Sequence, residues 1–318
     1  MTMKIVIVGA GAIGMLMGAY LSRGGNEVVF VETDEDKVAA INRQGIGIME
    51  IVSDEPGNLI FEAARAVSDA RQIKTCEVVI MAVKSFDTRI AVKSVAHLVT
   101  NDSPVLTIQT GLGNLEVMEE VVARKNILGG FTYMAGAALG PGRVRLGGHG
   151  RTFVGELNDK KTSRAEKLCR LLNDCGLEAE LVPRIIEKIW CKVLVYSAIN
   201  PISGLLRVKN GRLVDKMESI SLAKRLMDEG RQVAESSGLD LSCIDLYDLF
   251  FVTCRATSEN ISSMLLDLLS ARKTEIDSLN GEIVRLGQDY EVPVSTHLTI
   301  MELIKLSEKW GAGGQLSN

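Results

Sequence analysis

The feature that most constrains the fold of this chain is an apolar strand pattern that runs directly into three spaced glycines. Residues 4–8 are almost entirely β-branched and apolar, and a helical pattern follows over residues 15–23. In this setting the three glycines allow, in order, a tight turn, close approach of a pyrophosphate to the backbone, and close packing of the helix on the strand. The helix N-terminus adds unpaired N–H groups and a partial positive charge. The pattern predicts a dinucleotide site formed by Gly9, Ala10, Gly11, Ala12, Ile13 and Gly14. A tight turn that binds no ligand is the alternative.

Acidic residues follow the second predicted strand, Glu27–Val31, and indicate which dinucleotide binds. Glu32 ends this strand 18 residues after Gly14, and Asp34 follows. An acid here hydrogen-bonds the adenosine ribose and repels a 2′-phosphate, whereas NADP sites usually place an arginine at this point. The nearest cation, Lys37, comes after two more acids. The pattern therefore favours NAD(H). Alternatively, these acids form the cap and first turn of a helix over residues 36–43.

Composition describes an ordinary globular chain that is long enough for two domains. Of its 318 residues, 46% are hydrophobic and 24% charged, and the net charge is −4. This charge provides no electrostatic footprint for nucleic acid or an anionic membrane. No apolar run reaches the roughly 20 residues that span a bilayer, and the N-terminus lacks the pattern of a signal peptide. We therefore expect neither nucleic acid nor a membrane as a partner.

Cysteine and histidine usage points to a reduced compartment and away from metal chemistry. The six cysteines lack CxxC spacing, which favours buried, reduced thiols in a cytoplasmic protein. The three histidines have no metal-ligand partner at helical spacing. We therefore expect no metal site.

The order of predicted elements gives an α/β fold class. Apolar strands alternate with helices in the first half, with a late edge hairpin over residues 139–150, which predicts an N-terminal Rossmann-type parallel sheet domain. From residue 185 the pattern is helical, and we predict an all-helical C-terminal domain. The boundaries are 1–183 for the dinucleotide-binding domain and 184–318 for the substrate and catalytic domain. Predicted helices in the second domain cover residues 185–200, 213–236, 244–254, 262–290 and 298–309. Their apolar faces suit either a homodimer or the chain's own core.

Two segments of the helical half carry more polar groups than a core helix needs. Lys188, Lys192, Tyr196 and Asn200 are spaced four apart and share a helix face. Further on, Glu275 follows Ser263 by twelve residues, which places both on one face of the predicted helix 262–290. A buried polar stripe needs partners or a ligand. The alternatives are a solvated lysine face and ordinary helix caps.

Taken together, several motifs across nearly the whole chain resemble the ketopantoate reductase (2-dehydropantoate 2-reductase) family. They are the glycine loop, Val83-Lys84, Gln109-Thr-Gly-Leu-Gly113, the helix with Lys192 and Asn200-Pro201, Lys209-Asn-Gly211, Ser258–Leu265, and Lys273-Thr-Glu-Ile-Asp277 with Asn280-Gly281. The resemblance implies a Rossmann domain followed by a helical domain. It also implies reduction of a 2-oxo acid to a 2-hydroxy acid with a nicotinamide cofactor, by default NADP(H).

The resemblance assigns roles to individual residues. It implies that Lys192 is the catalytic lysine, which stabilises charge on the ketone oxygen and donates a proton, and that Glu275 positions this lysine. Lys84 and Thr110 correspond to positions near the cofactor. The positions that correspond to substrate contacts are Asn200, Asn210, Ser263, Asn260 and Tyr196.

Three departures from the family pattern affect specificity. Thr110 and Tyr196 stand where the family has asparagine, and Glu32 stands where NADPH-using members need a nearby cation. The resemblance therefore implies a 2-oxo acid reductase of pantothenate biosynthesis with ketopantoate as the favoured substrate, and Glu32 favours NAD(H) over the family default, NADP(H). The alternatives are a reductase of a different branched or bulkier 2-oxo acid, and a non-catalytic protein that senses NAD.

Overall fold

The structure, a computed structural model, describes residues 2–52 and 55–311. It divides into two compact units, Met1–Gln109 with Asn114–Ile186, and Thr110–Gly113 with Glu187–Asn318. These units do not test the functions predicted for residues 1–183 and 184–318, which remain predictions. By its packing, the short segment Thr110–Gly113 groups with the second unit although it lies within the first in sequence.

The first unit is a mixed α/β body with two sheets. Its helices and strands are β1 (Lys4–Val8), α1 (Ala12–Arg23), β2 (Glu27–Val31), α2 (Glu35–Gln44), β3 (Ile46–Val52), β4 (Glu55–Glu62), β5 (Arg65–Val67), β6 (Val78–Met81), α3 (Thr88–Val95), β7 (Val105–Thr107), α4 (Asn114–Glu119), β8 (Ile127–Thr132), β9 (Ala135–Gly140), β10 (Arg143–Gly148), β11 (Thr152–Glu156), α5 (Ser163–Asp174) and β12 (Ala179–Leu181). Strands β1 and β6 are the apolar runs of the sequence, and they are buried because the sheet is covered on both faces.

The larger sheet has the strand order β12-β11-β8-β7-β6-β1-β2-β5. Its neighbours pair in parallel, except that β8 and β11 are antiparallel. The strand order reverses at β1, which pairs with β2 on one side and β6 on the other. Ligands of doubly wound sheets bind at the carboxyl ends of the strands at such a reversal. The glycine loop follows β1 and Lys84 follows β6, so both lie there.

The predicted hairpin exists, but its predicted place at an edge of the main sheet is wrong. Strands β9 and β10 belong to a separate four-stranded sheet of order β4-β3-β10-β9. Its central pair, β3 with β10, is parallel and joins segments almost 100 residues apart in the chain. The main sheet is instead extended by β11 and β12.

The regular structure of the second unit is helical, with no strand among its described residues. Its helices are α6 (Ile185–Leu206), α7 (Met217–Ser236), α8 (Leu246–Ala256), α9 (Ser263–Leu269), α10 (Glu282–Asp289) and α11 (Ser295–Gly311). Among the described residues, α6 alone has the length and apolar composition of a helix that could cross a membrane. However, 83% of its most apolar 18-residue window is buried inside the protein. Helix α6 reads as a core helix of this unit.

The single predicted helix over residues 262–290 is wrong. Helix α9 ends at Leu269, an irregular segment follows, and a π-helical turn, Asp277–Gly281, leads into α10. Ala271 has φ +50°, and the Arg272 N–H donates to the Asp267 carbonyl at 2.8 Å. This left-handed residue with a bond back across the last turn is a helix-ending motif.

Candidate active site

The glycine loop forms a tight turn against the end of β6. Gly9 has φ +101°, and a Cβ there would lie 2.8 Å from Val83 Cγ1. A Cβ on Gly14 would overlap the carbonyl oxygen of Gly9. Both positions therefore require glycine for reasons internal to the protein.

Gly11 differs from these two glycines, since among the described residues beyond its chain neighbours no atom lies within 4 Å of where its Cβ would be. Its φ of −78° and ψ of −176° are open to any residue. Helix α1 begins at Ala12 with no side-chain cap and no acidic residue in its first turn. Its first N–H groups have no intrahelical partner, so the loop offers an open, positively polarised surface. Such a cradle fits the pyrophosphate of a dinucleotide.

Glu32 lies at the carboxyl end of β2, is 9% exposed and connects to the glycine loop. Its Oε2 accepts hydrogen bonds from Ala10 N at 2.9 Å and from Lys37 Nζ at 3.3 Å. Its Oε1 accepts from Thr33 N at 2.9 Å and Asp34 N at 3.1 Å. The carboxylate is thus held by backbone on both sides of the strand end.

The alternative interpretation of these acids as a helix cap is confirmed for Asp34, not for Glu32. Asp34 caps α2 by accepting hydrogen bonds from Asp36 N and Lys37 N. The sequence analysis did not predict the ion pair between Lys37 and Glu32, because Lys37 follows two further acidic residues in the chain. Its position in the first turn of α2 is the signal that indicates this contact.

Lys84 directly follows the β6 region and is half-buried at the start of the turn Ser85–Asp87. Gln109, two residues after β7, donates from Nε2 to the Val83 carbonyl at 3.0 Å and to Thr88 Oγ1 at 2.7 Å. These bonds fix the backbone next to Lys84. The carboxyl end of β6 therefore carries polar side chains on a backbone that is held in place by hydrogen bonds.

Lys192 is a buried cation of the second unit. It lies within α6 and is 5% exposed, and its Nζ donates to Thr110 Oγ1 at 3.4 Å. The same Nζ lies 5.2 Å from the ring centroid of Tyr196. Burial lowers the pKa of the Lys192 ammonium to about 8, while the charge of Glu275 opposes that change. A lysine in this setting can hold a proton near neutral pH and also release it.

The segment Thr110–Gly113 is held against the π-helical turn. Leu112 N donates to the Ser278 carbonyl at 2.8 Å, and a Cβ on Gly111 would collide with the Ser278 side chain. Glu275 lies two residues before this turn. It does not share a helix face with Ser263, because α9 ends between them. Glu275 interacts with Lys192 through a loop rather than through helix periodicity.

Of the remaining predicted substrate residues, the structure brings Asn210 and Asn260 into direct contact. Asn200 is buried on α6, one turn after Tyr196. Asn210 is 7% exposed; its backbone N donates to the Asn260 carbonyl at 3.0 Å, and its Nδ2 donates to Thr257 Oγ1 at 3.0 Å. The Oδ1 of Asn210 is buried without a hydrogen-bond partner among the described residues. Ser263, by contrast, is exposed, and its neighbour Ser262 caps α9.

Sequence reasoning also missed a role for Asn280, which was noted only as part of a motif. Its side chain is fully buried and donates to the backbone of α6 at Ser197. The two residues are separated by 83 positions, so no local pattern predicts the bond. The absence of a hydrogen-bond donor at Pro201, four residues after Ser197, is the available signal.

Comparison with protein-family models matches both parts of the chain. Residues 5–159 match the model described as ketopantoate reductase PanE/ApbA, and residues 184–308 match that described as ketopantoate reductase PanE/ApbA C terminal. A 2-dehydropantoate 2-reductase from Pyrococcus abyssi is 35% identical over 306 residues, covering 96% of this chain and 98% of the relative.

Solved structures of similar proteins include two that cover nearly the whole chain. The ternary structure of D-mandelate dehydrogenase with NADH and anilino(oxo)acetate has a TM-score of 0.89 and 26% identity, covering 98% of this chain and 99% of that one. A PanE/ApbA family ketopantoate reductase from Ralstonia eutropha JMP134 has a TM-score of 0.86 and 26% identity, covering 98% and 100%.

Proposed function

The chain belongs to the ketopantoate reductase family, and we propose that it reduces the ketone of a 2-oxo acid, with 2-dehydropantoate to pantoate as the favoured reaction. The main support for this proposal is the buried Lys192, which donates a hydrogen bond to the Thr110 hydroxyl and whose charged form is favoured by the Glu275 carboxylate. A protein that only senses NAD has no need of a buried proton donor, and this argues against the sensor alternative.

Lys192 acts as the general acid in this proposal. A bound nicotinamide supplies the hydride that reduces the ketone carbon. Negative charge then grows on the ketone oxygen, and the Lys192 ammonium stabilises that charge and donates its proton. Because Lys192 is 5% exposed, its electrostatic effect is weakly screened by water.

Glu275 and Thr110 prepare this lysine. Burial alone favours a neutral amine, and the Glu275 carboxylate favours the charged form that the reaction needs. Thr110 Oγ1 accepts one of the three ammonium hydrogens and so orients the group. In the proposed complex the ketone oxygen would accept a hydrogen bond from the same ammonium group.

The substrate's polar ends are assigned to the asparagines of the second unit. Asn200 and Asn210 would contact the carboxylate and hydroxyl ends, with Asn260 and Ser263 at the same surface. The buried Oδ1 of Asn210, which has no hydrogen-bond partner in the part of the chain that the structure describes, supports this assignment. An unsatisfied buried acceptor costs about 1–3 kcal/mol, which a hydroxyl donor of the substrate would recover.

The reduction rate should fall above about pH 8, because Lys192 must carry its proton in order to donate it. We expect kcat/KM to decrease roughly tenfold for each pH unit above that value. Glu275→Gln removes the charge that raises the lysine pKa, so the alkaline limb should move to lower pH by about one pH unit. Activity that stays constant through pH 10, or a limb that moves upward in E275Q, would contradict the assigned roles.

For the cofactor we propose NAD(H), held by Gly9, Ala10, Gly11, Ala12, Ile13 and Gly14, with Glu32 at the ribose and Lys84 and Thr110 near the nicotinamide end. Glu32 and Asp34 place two carboxylates at the end of β2. Their charge disfavours a 2′-phosphate. Lys37 argues against this assignment, since a cation at the end of β2 could bind a 2′-phosphate. Its Nζ is, however, paired with Glu32 Oε2 at 3.3 Å.

Measured side by side, NADH should exceed NADPH in kcat/KM by roughly 10- to 100-fold, because like charges at close range cost several kcal/mol. Glu32→Ser should narrow the difference by admitting the phosphate. Lys37→Ala separates the two interpretations, since a selective loss of rate with NADPH would show that Lys37 binds the phosphate. A clear preference for NADPH in the unmodified protein would refute the NAD(H) assignment.

A bulkier 2-oxo acid is the second candidate substrate. Tyr196 places an aromatic ring 5.2 Å from Lys192 Nζ, and the similar D-mandelate dehydrogenase is named for a 2-hydroxy acid with a phenyl group. A panel of 2-oxo acids with NADH tests this. Highest kcat/KM with ketopantoate supports the leading proposal, and highest kcat/KM with an aromatic acid supports the second. Tight NADH binding without turnover of any acid would favour a sensor.

We also propose a cytoplasmic location. All six cysteines lie among the described residues as free thiols, and burial raises the pKa of Cys169 and Cys191 to about 11 and of Cys254 to about 12. Thiols of this kind are unreactive and suit a reducing compartment.

A further inference from the structure

Helix α6 contains a proline, and this leaves a backbone carbonyl without its helical partner. Pro201 lies inside the helix, between Asn200 and Ile202. Proline has no N–H, so the carbonyl four residues earlier, that of Ser197, loses its intrahelical hydrogen bond. Ser197 is 0% exposed, so water does not replace the missing donor. A buried carbonyl in this position needs another partner.

Asn280 supplies that partner from the π-helical turn. Its Nδ2 donates one hydrogen to the Ser197 carbonyl at 2.9 Å and the other to His297 Nδ1 at 3.0 Å. His297 Nε2 in turn lies 2.8 Å from the Leu226 carbonyl on α7. Asn280 and His297 are both 0% exposed. The chain of bonds therefore links α6 to α7 and α11 through two buried side chains.

The chemistry of the two carbonyls fixes the protons of this chain. A carbonyl only accepts, so the Asn280 amide must present its NH₂ to Ser197, and His297 must carry its hydrogen on Nε2. His297 Nδ1 is then an acceptor and the ring is neutral. Burial lowers the pKa of His297 to about 4, which agrees with this neutral form. The backbone N–H of His297 is held separately by Glu229 Oε2 at 3.1 Å.

We infer that Asn280, oriented by His297, is a positioning residue that holds the turn of α6 before Pro201 and thereby places Asn200 for the substrate. Ser197 lies between Tyr196 and Asn200, after Lys192, so the bond acts on the turn that carries Asn200 rather than on the lysine. The same π-helical turn holds Leu112 through the Ser278 carbonyl. This inference rests on the proposed function for the role of Asn200.

A double-mutant cycle between Asn280 and Pro201 tests the inference. In the Pro201 background, Asn280→Leu leaves the Ser197 carbonyl unsatisfied and should raise the KM for the 2-oxo acid about tenfold, with kcat within about threefold. Pro201→Ala restores an N–H that can donate to Ser197. In the P201A background, N280L should therefore change KM by less than about threefold.

The same double-mutant cycle can be measured without substrate, from the equilibrium constant for unfolding in urea. N280L should raise it about tenfold with Pro201 present and clearly less in P201A. Asn126→Leu is the matched control. Asn126 and Asn280 are both buried, and the Oδ1 of each has no hydrogen-bond partner among the described residues, but Asn126 belongs to the first unit. Its effect should be equal in both backgrounds. Equal effects of N280L in both backgrounds would overturn the inference.

The unmodified protein offers a further measurement that does not depend on a variant that folds. Nitrogen NMR of the three histidines should show His297 as a neutral ring with its proton on Nε2 at pH 7. A proton on Nδ1, or a charged ring, would overturn the inference. If no 2-oxo acid is turned over, the proposed function fails, and the unfolding cycle and the NMR signal still decide whether Asn280 holds α6.

Discussion

Lys192→Met is expected to lower kcat for 2-oxo acid reduction roughly 100- to 10,000-fold, the usual contribution of a positioned general acid. Methionine preserves much of the side-chain volume in α6 but has neither a charge nor a proton to give. The negative charge that develops on the ketone oxygen would then meet no donor from this helix. The measurement is steady-state kinetics with NADH, together with a fluorescence titration of NADH, whose affinity should be retained.

Lys188→Met is the matched control for this variant. Lys188 lies one turn earlier on the same polar stripe of α6 but is only half-buried. Its replacement should change kcat by less than about threefold, since a partly solvated lysine contributes little. A K192M protein that keeps more than a tenth of the wild-type kcat would refute the catalytic assignment.

Stability gives K192M a second readout with a defined sign. The folded-state pKa of Lys192 is about 8 and the ordinary value is 10.5, so the unfolded chain binds more protons between these pH values. Wild-type stability should therefore rise with pH across that window, and this contribution should be absent in K192M. Urea unfolding of both proteins at pH 7.5, 9 and 10.5 measures it.

Local patterns predicted the parts of this structure that are built from neighbouring residues. Strand β1, the glycine turn and α1 follow from one continuous stretch of sequence, and the structure has them at the expected positions. The polar stripe of α6 was equally accessible, because Lys192, Tyr196 and Asn200 share a single helix. The roles of these residues stay predictions until the experiments above are done.

A helix end that no glycine or proline marks could not be predicted from local patterns. Residues 270–276 contain neither glycine nor proline, so the periodicity suggested one helix where α9 stops and a π-helical turn begins. A non-glycine residue, Ala271, takes the left-handed conformation that ends α9. Tertiary packing decides such a case against local preference. The link between Glu275 and Lys192 consequently has a different geometric basis from the predicted one.

Long-range pairing accounts for the other differences. The hairpin β9–β10 joins β3 rather than the main sheet, because the pairing of β3 with β10 is specified by packing across distant segments. The bond from Asn280 to Ser197 and the contact of Lys37 with Glu32 likewise depend on which elements come together. Local signals exist for these two contacts, namely Pro201 and the position of Lys37 in the first turn of α2, but the packing of the elements is needed to identify each partner.

Gly11→Ala should weaken NADH binding roughly 10- to 100-fold, the effect of an added methyl group in a close-packed contact. The open space around Gly11 makes this variant informative. Apart from the neighbouring residues in the chain, no atom of the described residues lies within 4 Å of the new Cβ, and the backbone angles of Gly11 suit alanine. Its stability should therefore stay the same or rise slightly. The dissociation constant of NADH and the urea midpoint measure the two effects separately.

Gly148→Ala is the matched control, since it too adds a Cβ to a half-buried glycine with open space around it, but outside the glycine loop. It should leave NADH affinity unchanged within about twofold. Gly9 and Gly14 cannot serve this purpose, because a Cβ at either would collide with the protein itself, so a loss of binding there would not distinguish damage from ligand contact. If G11A bound NADH as tightly as the control, the turn would be a structural one without a ligand. A selective loss in G11A would instead show that the space beside Gly11 is where the pyrophosphate lies.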